Sequence, residues 1–123
     1  MAKFYLLLGS INALLVVLIG AFGAHGLKAR LTAENMAIFQ TGVQYHFYHA
    51  VGLILVGLIA TQLSSPPYLR WSAWLMMMGI ILFSGSLYAL SITNIRWLGM
   101  ITPVGGVAFI LAWLMLTIGI IKS

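Results

Sequence analysis

The sequence has almost no negative charge: Glu34 is its one acid, and aspartate is absent. A Ser-His-Asp set therefore cannot be assembled, and any catalytic base would have only Glu34 to orient it. Cysteine is absent too, which excludes disulfides, thiolate metal sites and lipid attachment at a cysteine. Charged residues of either sign make up 6% of the chain, against about a quarter in a soluble domain. So few charges cannot coat a surface that faces water. What the chain has instead is hydrocarbon: 63% of its 123 residues are hydrophobic, and the mean hydropathy is +1.10. The solvent it matches is lipid. The expected fold class is all-α, an integral membrane bundle of four transmembrane helices in a single domain, 1–123.

The net charge of +5 would suggest a nucleic-acid partner in a soluble protein. Here Lys3, Lys28, Arg30, Arg70, Arg96 and Lys122 stand singly at the ends of apolar runs. Basic residues flank membrane spans in this way, near anionic headgroups. The partner implied is the bilayer, and nucleic acid is excluded.

Four runs are long enough to cross, at about 4–24, 43–63, 71–93 and 97–121. The first would reach roughly 31 Å as a helix and exceeds the roughly 7–15 residues of a signal h-region, so a retained span is expected. Gly20, Gly23 and Gly26 recur near its far end, where small residues let a neighbouring helix approach. Asn12, deep in the run, is expected to make an interhelical hydrogen bond.

The connector from His25 to Thr41 holds Lys28, Arg30 and Glu34. Thr32 can cap a helix that begins at Ala33, with Glu34 favourable in its first turn and Met36 and Phe39 dipping towards lipid. An unbroken helix from there to Leu63 would be roughly 46 Å long, well over the membrane thickness, so a bend or break near Gly42 is expected. Ser64-Ser65-Pro66-Pro67 ends the second span, and Trp71 and Trp74 mark an interface. Met76-Met77-Met78 reads as packing filler, since consecutive helix positions diverge. Gly85 and Ala89 form a small-xxx-small pair, with Ser84 and Tyr88 on one face. Thr102-Pro103 reads as an N-cap followed by proline at the first helical position, and Gly105 and Gly106 leave that helix start bare.

Four spans alternate across the bilayer, so the first and third connectors lie on one side. His25, Gln40, Gln44, His46, His49, Tyr88, Thr93, Asn94 and Thr102 belong to that half. His46 and His49, three apart, share a helix face. Lys28, Arg30 and Arg96 on this side balance Lys3, Arg70 and Lys122 on the other, a tie under the positive-inside rule. The terminal amine and the tight first hairpin tilt the expectation towards cytoplasmic termini.

Three chemistries compete for the polar cluster. His25, His46 and His49 could supply three zinc or haem ligands, but nothing else is available to complete the site. A proton-coupled transporter of this size ordinarily uses a carboxylate inside a span, and Glu34 lies outside one. Hydrogen-bonded structural histidines are the plainer account, with no cofactor and no enzyme activity.

Four ordered stretches carry a family likeness: Gly20-Ala21-Phe22-Gly23-Ala24-His25, Gln40-Thr41-Gly42 with Tyr45 and His49, Leu82 through Tyr88, and Thr102-Pro103-Val104-Gly105-Gly106. The chain resembles domain of unknown function 423, the YgdD-type small bacterial inner-membrane proteins, over essentially its whole length. The resemblance implies four transmembrane helices and an inner-membrane location, without implying an activity. It makes His25 and His49 motif histidines. His46 stands where a relative has glutamine, which weighs against a three-histidine metal site. The shared constellation it implies is His25, Gln40, Tyr45, His49, Ser84, Ser86, Tyr88 and Thr102, with Gln44 beside it and Gly20, Gly23, Gly85, Gly105 and Gly106 permitting close packing. The expected role is a non-enzymatic accessory or scaffold protein, homo-oligomeric or part of a larger membrane complex. A small channel or transporter with its vestibule at this network is the alternative.

Overall fold

A computed structural model describes residues 1–123. Four helices are long and apolar enough to cross a membrane: Ala2–Gly26, Ala33–Ala60, Pro66–Thr93 and Arg96–Lys122. The fold is the four-helix membrane bundle expected from composition. The first helix packs antiparallel along the second, and the third along the fourth, with the second and third meeting in the middle.

Glycine sets the close approaches. At Gly9 an added Cβ would lie 2.8 Å from the Ala50 carbonyl oxygen, and at Gly57 it would lie 2.7 Å from Leu6, so the first two helices touch nearly backbone to backbone. The ring of Phe39 lies against Gly23, where a Cβ would collide with it. In the other pair, Gly105 rests on the backbone of Leu82 and Phe83, while Phe109 covers Gly79. Such contacts gain dispersion energy, which drives association where the surrounding solvent is itself hydrocarbon. Between the pairs, Leu53, Val56, Met76 and Ala112 are wholly buried. Outside, Leu14, Val17, Ile81, Ile110 and Ile121 are all more than half exposed, a surface suited to acyl chains.

Several boundaries differ from expectation. The second helix does not break at Gly42; it runs unbroken from Ala33 to Ala60, about 42 Å. Its surplus turn is stabilised at the connector end: Thr32 caps it, accepting from the Asn35 N–H at 3.0 Å, and Glu34 lies in the first turn. Ser84 Oγ also donates to the Gly42 carbonyl at 2.8 Å, tying that point to the third helix. The third helix starts at Pro66, with proline in its first turn, and contains a π-helical segment, Ile80–Ser84. Asn94 ends it in the left-handed conformation (φ 62), its N–H bonded to Leu90 O. The fourth begins with a 3₁₀ segment, Arg96–Met100, and Thr102 is its first α-helical residue, not its cap. Gly85 is not a packing glycine, because a Cβ there would meet only Ile80 O at 3.9 Å. Gly26 meets nothing within 4 Å. The three methionines diverge as helical geometry requires: Met76 is buried, Met77 half-buried and Met78 exposed.

Candidate functional site

His46 and His49 are both buried, each 4% exposed, and project from the second helix into different seams. Three residues along a helix turn a side chain by about 300°, which leaves the pair about 60° apart. The second helix is central in the bundle, so that angle is enough to send one ring towards the first and third helices and the other towards the fourth.

His46 lies in a chain of side chains spanning three helices. Asn12 Nδ2 donates to the Leu8 carbonyl at 2.8 Å, which turns Oδ1 towards His46 Nε2 at 3.0 Å. Since that oxygen can only accept, His46 Nε2 carries the proton. His46 Nδ1 then accepts from the Tyr88 hydroxyl at 2.9 Å. Tyr88, Ser91 and Ser84 come from one end of the third helix, Asn12 from the middle of the first.

The other imidazole is fixed in the opposite tautomer. Trp113 Nε1–H, which can only donate, meets His49 Nε2 at 3.0 Å, while His49 Nδ1 donates to the Tyr45 carbonyl at 2.7 Å. Phe109 stacks on this ring, with centroids 3.5 Å apart and planes within 7°. Tyr45 packs on Phe83 at 4.7 Å. Together with Gly106 and Tyr48 these residues line a groove of about 530 Å³ between the second and fourth helices. Gly106 leaves its wall open: a methyl group added there would meet nothing nearer than the Phe83 ring, at 3.8 Å.

The remaining polar residues form smaller groups. Ser86 Oγ and Thr102 Oγ1 share a bond of 2.6 Å between the third and fourth helices. Asn35 Nδ2 donates to Ser91 O at 3.3 Å and to Asn94 Oδ1 at 3.2 Å, joining the first turn of the second helix to the end of the third. Gln44 Nε2 donates to the Tyr48 hydroxyl at 2.6 Å on the outer face. Glu34 and Arg96 approach to 4.0 Å, both largely exposed, a pair worth little in stability.

The sequence-derived constellation therefore divides. His49 and Tyr45 share the aromatic seam, Ser84 and Tyr88 hold the second helix, Ser86 and Thr102 pair with each other, and Gln44 stays on the outside. Gln40 and His25 are exposed and make no hydrogen bond within the protein. The antiparallel contact puts Gly23 beside Phe39, so His25 lies near that level, about 15 Å along the second helix from His49. His25, His46 and His49 do not converge, and both nitrogens of each buried ring already have partners. Reading the sequence left Asn12, Asn35, Phe109 and Trp113 outside the cluster. Trp113 did carry a signal: unlike Trp71, Trp74 and Trp97, it lies far from a helix end, where its N–H needs an internal acceptor.

Comparison with known proteins places this arrangement in context. The family model described as "Protein of unknown function (DUF423)" matches residues 19–106. The UPF0382 membrane protein YwdK of Bacillus subtilis is 52% identical over 120 residues, covering 98% of both chains. The UPF0382 membrane protein SSP2132 of Staphylococcus saprophyticus is 46% identical, again over 98% of each. SERP0230 of Staphylococcus epidermidis, with the same description, is 46% identical over 98% of this chain and 97% of its own. No solved structure matches.

Proposed function

From the premise that the chain belongs to the DUF423 family, with relatives named as membrane proteins, we propose that it is a non-enzymatic accessory or scaffold protein of the bacterial inner membrane. Its hydrogen-bonded side chains set the register of four helices, and its outer surface is presented to other membrane proteins or to further copies. Both termini face the cytoplasm. The observation that carries this reading is the pairing of the two buried histidines. Their four ring nitrogens are all engaged by Asn12, Tyr88, Tyr45 and Trp113, so neither imidazole is left free as a base or ligand. In lipid, where no water competes, such bonds select one packing among many.

The test is reconstitution of wild-type protein and the His46→Ala and His49→Ala variants in liposomes. The expected result is a loss of thermal stability in both variants, with no solute flux in any of the three proteins. Flux through the wild type that disappears in His49→Ala would instead establish a small transporter, a reading favoured by the groove beside that ring.

A further inference from the structure

We infer that the outer face of the second helix around Gln40, Thr41 and Gln44 is the docking surface for a second copy of this chain. The inference rests on the reading of the protein as an assembling scaffold and adds to it the surface and the partner.

The argument begins with depth. Gly20 faces Val43 and lies about 9 Å before the end of the first helix at Gly26. The Tyr88 ring covers Gly42 and lies about 8 Å before the end of the third helix at Thr93. Gln44 is therefore below the helix ends of both neighbours, within the apolar slab, while Gln40 sits one turn nearer the surface. Both are exposed on a face that no other helix of the chain covers. Gln40 bonds to nothing in the protein, and Gln44 uses only its Nε2, on Tyr48. By contrast, the exposed hydroxyls of Ser10 and Thr117 are satisfied within their own helices, by Leu7 O and Trp113 O. The two amides keep unused hydrogen-bonding capacity on this face, and acyl chains cannot meet it.

Self-association satisfies them. An amide both donates and accepts, so a glutamine can bond to its own copy across a two-fold axis, where a group limited to one role could not. The second helix carries no charge beyond Glu34 at its start, so two copies meet without repulsion along its length. The surface is also shaped for close approach. Ala33 and Ala37 lead at four-residue steps to Thr41, whose hydroxyl is folded back onto Ala37 O at 3.0 Å. A facing helix can come close there and bring the amides within reach.

The natural absence of cysteine makes disulfide mapping in native membranes direct. Ala37→Cys and Thr41→Cys are expected to cross-link into a dimer, while Leu14→Cys and Ile110→Cys, on the outer faces of the first and fourth helices, stay monomeric. Gln40→Leu combined with Gln44→Leu should shift the monomer–dimer midpoint roughly tenfold towards monomer, the value of a pair of symmetry-related interhelical bonds. Each variant is compared with wild type by unfolding midpoint, because these exposed positions should leave the fold intact. Dimers that cross-link through Leu14 or Ile110 would overturn this surface while leaving the scaffold reading standing. Cross-links from Ala37 to a different protein would overturn the second copy as occupant. A chain that is monomeric by cross-linking and binds no other membrane protein would overturn both.

Discussion

Replacing Asn12 by leucine takes away the oxygen that accepts from His46 Nε2–H in a buried seam. An orphaned buried donor costs about 1–3 kcal/mol in a soluble protein. Interhelical bonds in lipid measure lower, averaging about 0.6 and reaching about 1.7 kcal/mol. The expected loss for Asn12→Leu is therefore about 1–2 kcal/mol. His46→Leu removes the same bond from the other side and frees the Tyr88 hydroxyl as well, so it should cost at least as much. The informative species is the double variant, in which the shared bond can be lost only once. It should be more stable than the sum of the singles implies, by about 0.6–1.7 kcal/mol. The assay is reversible unfolding by SDS in mixed micelles, followed through the fluorescence of the four tryptophans. Losses that add to within about 0.3 kcal/mol would refute the argument, since residues that do not interact behave in that way.

Three further outcomes follow from the geometry. Gly105→Ala drives a methyl into the backbone of Phe83 and should cost about 3 kcal/mol in the same unfolding assay, whereas Gly106→Ala, with only a ring at 3.8 Å, should cost less than about 1 kcal/mol. Thr32→Ala removes the cap bond to the Asn35 N–H and should lower stability by about 1 kcal/mol, with hydrogen exchange rising first at residues 33–36. Diethyl pyrocarbonate, read out by mass spectrometry, should modify exposed His25 readily and spare His49, whose Nε2 is covered by Trp113. Trp113→Phe should make His49 reactive, and an unchanged pattern would discount the Trp113–His49 bond.

Much of the fold could be read from the sequence because lipid leaves few options. Four apolar runs without acids can only be helices, and Thr32 followed by Glu34 marks a helix start by local chemistry alone. The interhelical bond of Asn12 was equally legible, being the one amide in its span. What could not be read depends on neighbours. The unbroken second helix defeats an argument from membrane thickness because its first turn is stabilised by Thr32, Asn35 and the end of the third helix. The separation of His46 from His49 depends on which helix fills each seam, information absent from their spacing. Thr102 looked like a cap, yet its hydroxyl is taken by Ser86, and the preceding 3₁₀ segment carries the chain straight into the helix.

The wide turn at Ile80–Ser84 joins two stretches that face different neighbours. Upstream, Ser72 is fixed to the Ala112 carbonyl at 2.8 Å; downstream, Tyr88 reaches back to His46. A turn of this kind holds one residue more than an ordinary one, so the same residues wound as regular α-helix would swing everything beyond them by about 100°. The phenol would leave its imidazole and Ser84 its carbonyl, although no residue had changed its identity. The wide turn between 72 and 88, as much as residue type, is what keeps the two halves of the third helix in phase with both partners.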